Sequence, residues 1–143
     1  MKPLTIKGFV VLKACLKKLA SRLAIRIMPN KKKDMKLVKD KKGFTERILN
    51  EKGIQVVKFY AEWSGPCQMM CPIYAELSMS YSGTVNFFTI DVEEAPLLKK
   101  ELGVIELPTI LFYKNGTVID FVNGMISKNA LIAKLENAIN LKN

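Results

Sequence analysis

Two strongly β-prone runs, IQVVKFYAE (54–62) and TVNFFTIDV (84–92), constrain this chain more than any other feature. The stretch between them, about 65–81, reads as a helix: Ser64 stands at a favourable cap position and Pro66 in the first turn, where no backbone N–H is needed. Strand, helix and strand in immediate succession require a parallel pair joined by a right-handed crossover. A parallel pair in turn demands a sheet with helices packed against it.

The flanking segments extend the pattern. MKLV (35–38) is a short strand, and GFTERILNEKG (43–53) is a helix stopped by Gly53. APLLKKELG (95–103) is a short helix, again ended by a glycine. PTILFYKNGTVIDFVNG (108–124) reads as a hairpin turning at Asn115-Gly116, a type I′ signal. SKNALIAKLENAINLK (127–142) is an amphipathic helix begun by Ser127 as N-cap. The order is βαβαβαββα, with the last strand pair antiparallel. The expected class is α/β, a mixed central β-sheet with helices on both faces.

Charge divides the chain in two. Residues 1–43 hold 14 Lys/Arg against 2 acids, and residues 44–143 hold 9 against 11, so the basic character belongs to the leader. No base-reading motif follows the basic residues, and nucleic-acid binding is not expected. Phe9, Leu12, Leu16, Leu19, Leu23 and Ile27 form one apolar stripe, with Lys17, Lys18, Arg22 and Arg26 mainly opposite. Residues 1–33 therefore read as a basic amphipathic leader ended by Pro29 and Lys31–Lys33, and 34–143 as the folded domain. Three readings of the leader stand side by side: peripheral contact with an anionic membrane through residues 5–28, an organelle-targeting presequence, or a plain extension that docks on its own domain or another copy or never orders. No run of about 18 apolar residues is present, so no membrane-spanning helix is expected. The expected location is cytoplasmic, with membrane association or organelle targeting through the leader as the alternative.

The chain has no histidine and three cysteines, Cys15, Cys67 and Cys71. Cys–His and Ser–His catalytic pairs are thereby excluded, metal sites lose their commonest ligand, and a disulfide-stapled scaffold is out of reach. No metal and no cofactor is implied.

The element order, FYAEWSGPC after the second strand and LPT before the hairpin resemble the thioredoxin family over about residues 34–143. Pro108 lies 41 residues after Cys67 and is followed by Thr109, which matches the family's cis-proline position. KNG in the hairpin, Gly124, and Pro72 in the active-site helix also fit. The resemblance implies a thiol–disulfide oxidoreductase in cell redox homeostasis. Protein disulfides or thiols would be its substrates, a thiol reductant would turn it over, and Trp63, Gly65, Pro66, Leu107, Pro108 and Thr109 would form its substrate-facing surface. In that mechanism a cysteine at the helix start attacks a substrate disulfide, and a second cysteine three residues on resolves the mixed disulfide.

Here the attacker position is Ser64, and Cys67 maps to the resolving thiol. A serine attacker needs a base, and with no histidine only Lys58 is near in sequence. Ser64 is better read as the helix N-cap, its hydroxyl accepting from the Cys67 amide or donating to a Cys67 thiolate. Cys67 is left as the candidate monothiol. Cys71, four residues on and with its Cα roughly 6 Å away, is either its resolving partner or a small core residue. Lys58 stands where the resemblance implies a buried carboxylate that relays the resolving thiol's proton. If buried, its pKa should fall; if not, it snorkels to solvent. Phe87 replaces the lysine that would partner that carboxylate. Two functions follow: an oxidoreductase of altered or weakened activity through Cys67, or a redox-inactive binding module that holds protein partners in the same groove.

Overall fold

The computed structural model describes residues 35–142. The leader, with every expectation for residues 1–33, lies outside the described residues, as does the expected domain start at residue 34. The first described element is strand β1 (Met35–Leu37). Helix α1 follows as an α-helical turn, Lys41–Phe44, running into a π-helical turn, Thr45–Leu49. It begins earlier than Gly43 because Asp40 caps it, its carboxylate accepting from the Gly43 amide at 2.8 Å. It ends short of Gly53, which at φ +87° makes the turn into the next strand instead. Phe44 and Ile48, four residues apart, are its buried side chains.

Strand β2 (Ile54–Tyr60), helix α2 (Gly65–Ser80) and strand β3 (Val85–Asp91) form the expected strand–helix–strand unit, and β2 pairs parallel to β3 from Ile54–Val85 to Tyr60–Asp91. Helix α3 (Pro96–Glu101) leads to strands β4 (Thr109–Lys114) and β5 (Thr117–Asn123), and helix α4 (Lys128–Asn140) closes the described chain. The sheet order is β1-β3-β2-β4-β5, with β4 antiparallel to both β2 and β5. The mixed sheet and the antiparallel hairpin match the sequence pattern.

Strand β2 lies in the middle, and all seven of its residues are buried. Its period-2 alternation feeds two cores. Ile54 and Val56 point to the face covered by α2 and α4, where they join Met70, Tyr74, Leu131 and Leu135. Val57 and Phe59 point to the other face, against Phe44, Ile48 and Leu98 from α1 and α3. An edge-to-face aromatic pair strengthens each core: Tyr74–Phe87 with centroids 5.2 Å apart on the first face, Phe44–Tyr113 at 5.7 Å on the second. Lys58 falls in phase with Val56, so it faces the first core beneath α2.

Helix α4 is held at both ends. The Ser127 hydroxyl accepts from the Ala130 amide at 3.1 Å. The Lys114 ammonium donates to the Ala138 carbonyl at 3.1 Å and also to Leu141, which places a cation on the helix C-terminus.

The β4–β5 turn shows why Asn115-Gly116 is needed. Asn115 at φ 51° and Gly116 at φ 83° give the two positive dihedrals of a type I′ turn. The turn also docks: the Asn115 amide donates to the Gly53 carbonyl at 2.9 Å, and the Gly53 amide donates back to Asn115 Oδ1 at 2.8 Å. A Cβ on Gly116 would stand 2.3 Å from the Leu49 carbonyl oxygen. Gly116→Ala should therefore lower the stability by about 2 kcal/mol or more, through overlap added to positive-φ strain. Urea unfolding checks this, and a loss under about 0.5 kcal/mol would show that the turn yields freely.

Candidate active site

After β2 the chain turns at Ala61–Trp63, where the Ser64 amide donates to the Ala61 carbonyl at 3.2 Å. Ser64 is extended (φ −83°, ψ 116°), and its hydroxyl accepts from the Cys67 amide at 3.3 Å. Ser64 is thus the α2 N-cap, as its position before Gly65-Pro66 suggests. Gly65 and Pro66 are exposed in the first turn, and Pro66 has no N–H to leave unsatisfied. The Gln68 side chain reaches back to the Glu62 carbonyl at 2.7 Å and braces the loop.

Cys67 sits in that first turn as a free thiol, only 4 % exposed. Its amide points at Ser64, and the positive end of the helix dipole lies around its sulfur. Cys71 is buried on the same helix and is not joined to Cys67, whose thiol is free. Trp63 is two-thirds exposed (67 %), and its indole N–H donates to Glu93. Trp63 and Ser64 line one open groove of about 480 Å³ with Val92, Glu93, Ile105 and Leu107. The far wall ends at a cis Leu107–Pro108 peptide. Pro108 is buried, and its carbonyl accepts from the Gly124 amide at 2.7 Å. Thr109 is also buried; its hydroxyl donates to the Glu106 carbonyl at 2.5 Å and so pins the loop from below.

Lys58 does not snorkel to solvent: it is 3 % exposed. Its ammonium stands 4.8 Å from the Tyr74 ring centroid and 5.8 Å from that of Tyr60. Burial pushes its pKa down to about 8, and the charge of neighbouring Cys67 works in the opposite direction. Phe87 of β3 meets the Tyr74 ring edge to face, so an aromatic pair occupies the space beside the lysine. Tyr60 and Asp91, a register pair at the carboxyl ends of β2 and β3, are buried here too. Burial raises the Asp91 pKa, and burial together with Asp91, Glu94 and Glu62 raises that of Tyr60. The hydroxyls of Tyr60 and Thr89 are buried without a hydrogen-bond partner among the described residues.

The structure thus groups Trp63, Ser64 and Leu107 around the groove, and Lys58 with Cys67 beneath it. Tyr60, Asp91, Glu93 and Ile105 complete the surroundings and were not read from the sequence. Tyr60 could have been found, since it follows Lys58 by two residues and shares its face. Ile105, 89 % exposed in a loop, carries no periodic signal. Among the described residues no cluster of three His, Cys, Asp or Glu side chains is arranged to hold a metal ion.

Comparison with known proteins bears on this geometry directly. The family model described as Thioredoxin matches residues 34–137. The chain belongs to the thioredoxin family. Thioredoxin 2 of Chlorobaculum tepidum is 35 % identical over 97 residues, covering 68 % of this chain and 89 % of that protein. The chloroplastic M-type thioredoxin of Pisum sativum is 34 % identical over 97 residues, covering 68 % of this chain, and the chain spans 56 % of that protein's length. The crystal structure of Malassezia sympodialis thioredoxin superposes with a TM-score of 0.67 at 29 % identity, covering 73 % of this chain and 90 % of that one. The fold is therefore the thioredoxin fold, and the family's chemistry is thiol–disulfide exchange.

Two measurements test the site's construction. Ser64→Ala removes the cap and should cost about 1 kcal/mol of stability in urea unfolding; no change would mean that the Cys67 amide finds another acceptor. Lys58 sets a pH dependence. From about pH 8 up to the ordinary lysine value of 10.5 the unfolded chain holds a proton that the folded chain has released, so stability rises with pH in that window. The gain should be about 2–3 kcal/mol. Above about pH 10 the buried tyrosines reverse the trend, because the folded chain keeps protons that the unfolded chain loses. Unfolding at pH 7, 8, 9 and 10 should show the rise in the wild type and a flat profile in Lys58→Met.

Proposed function

We propose that this thioredoxin-family protein performs thiol–disulfide exchange through Cys67 as a single thiol, acting on protein disulfides and turned over by a thiol reductant. The observation that carries the reading is the free Cys67 thiol in the first turn of α2, behind the Trp63–Leu107 groove. The Cys67 thiolate attacks a substrate sulfur, a mixed disulfide forms, and the second substrate sulfur leaves as a thiolate. An external thiolate then attacks the mixed disulfide and frees Cys67. With a serine at the usual attacker position, exchange starts from a more buried sulfur, and turnover is slower than for a two-cysteine site.

The low exposure of Cys67, 4 %, favours a second reading: a binding module that holds extended partners in the groove without exchanging sulfur. A disulfide-containing model peptide separates the two. Wild type should form a mixed disulfide mapped to Cys67, Cys67→Ser should not, and Ser64→Cys should raise disulfide-reducing activity by about tenfold or more. Binding of the peptide by wild type with no covalent adduct would overturn the exchange reading in favour of the module.

A further inference from the structure

Among the described residues Lys58 and Asp91 are the only buried side chains of the kind that carries charge, and Lys58 takes part in none of the described ion pairs. Its position leaves no way out. Strand β2 is bonded on both edges, and Lys58 lies between Thr89 of β3 and Ile110 of β4. Its side chain shares a face with Val56 and Tyr60, and α2 covers that face.

Helix α2 fixes what stands above the ammonium. The Tyr74 hydroxyl donates to the Phe88 carbonyl at 2.7 Å, with the Val56 carbonyl 3.0 Å away, so the ring is clamped to the sheet. Cys67 precedes Tyr74 by two turns on the same buried stripe of α2. The ammonium lies between the Tyr74 ring and that of Tyr60, two residues further along β2, on the face that the buried stripe of α2, Cys67 included, covers. Ring faces of Tyr74 and Tyr60 attract a cation but do not neutralise it. The other groups facing this space are the Thr89 hydroxyl, which is neutral, and Asp91, Glu62 and Glu94, whose charges bear on Tyr60. The charge that bears on Lys58 is that of Cys67.

We propose that Lys58 is the buried counter-ion of the Cys67 thiolate. This rests on the exchange reading above and adds to it the means by which a one-cysteine site manages its proton. At neutral pH Lys58 keeps its proton, so the Cys67 thiol, on losing its own proton to solvent, becomes a thiolate paired with an ammonium. When Cys67 bonds to a substrate sulfur its negative charge is lost, and the other substrate sulfur departs as a thiolate. The ammonium is then buried without a counter-ion and releases its proton, which the departing thiolate takes up. One substrate sulfur leaves as a thiol, the other is held on Cys67, and the substrate disulfide supplies the oxidising equivalent. Lys58 is thus a positioning residue acting through Cys67, and the reversed charge at its position becomes the working part of the site.

The test is the pH profile of Cys67 alkylation by iodoacetamide in the full chain without reductant, read on the Cys67 peptide by mass spectrometry. Lys58→Met, which keeps volume and removes the amine, should raise the alkylation midpoint by about one pH unit and slow the reaction at pH 7 about tenfold. Lys58→Arg, which keeps the charge, should leave the midpoint within about 0.3 units of wild type. Lys58→Met removes a buried amine and should fold at least as stably as wild type, so it decides alone if the arginine variant does not fold. An unmoved midpoint in Lys58→Met overturns the counter-ion. The peptide adduct experiment separates the two readings. A moved midpoint with no mixed disulfide would sink the exchange function and leave the pair standing. A mixed disulfide with an unmoved midpoint would do the reverse.

Discussion

Strand β2 is hydrogen-bonded along both edges and covered on both faces, and the rest of the molecule is arranged around that fact. A strand so enclosed offers its side chains two destinations and no third. Alternate residues enter one core or the other, and each neighbouring element is positioned by the half it receives. Helix α2 answers to Val56 through Tyr74, and α1 answers to Val57 and Phe59 through Ile48 and Phe44. The functional loop is the first length of chain to leave this enclosure, so Ser64 and Cys67 inherit their placement from packing far below them. Lys58, whose ammonium a dry core does not suit, is committed to that core by the same alternation.

Much of this was legible in the chain itself, because the signals were local. Asn115-Gly116 demanded a turn with two positive dihedrals, Ser127 and Ser64 were caps with free amides three residues on, and alternating strands showed which residues would be internal. The α1 boundary was missed because the cap is Asp40, set off from the apolar pattern by two lysines and a glycine. The groove was only half legible. Trp63 and Leu107 stood beside recognisable motifs, but Val92, Glu93 and Ile105 reach it from separate loops. Whether Lys58 was buried could not be read at all, since an inward-facing and a snorkelling lysine occupy the same place in a β-prone run; the answer depends on what covers the strand.

Ser64 and Cys67 show how a helix start can change chemistry without changing shape. Serine keeps the cap that the first turn requires, and Pro66 keeps the turn free of a stranded amide, so the backbone around Cys67 does not depend on a second sulfur. Structure and reactivity are separable at this position.

The loop opposite the thiol carries a consequence of another kind. It is tied from two directions: the Thr109 hydroxyl holds the Glu106 carbonyl, and the Pro108 carbonyl is taken by the Gly124 amide. A Cβ on Gly124 would lie 2.7 Å from a Glu106 carboxylate oxygen, so the two segments also touch. A wall stitched in this way has little freedom left to lose when a partner docks. The entropy of complex formation then falls almost wholly on the incoming chain, and partners should be ranked by how cheaply they straighten rather than by how well the groove adapts to them.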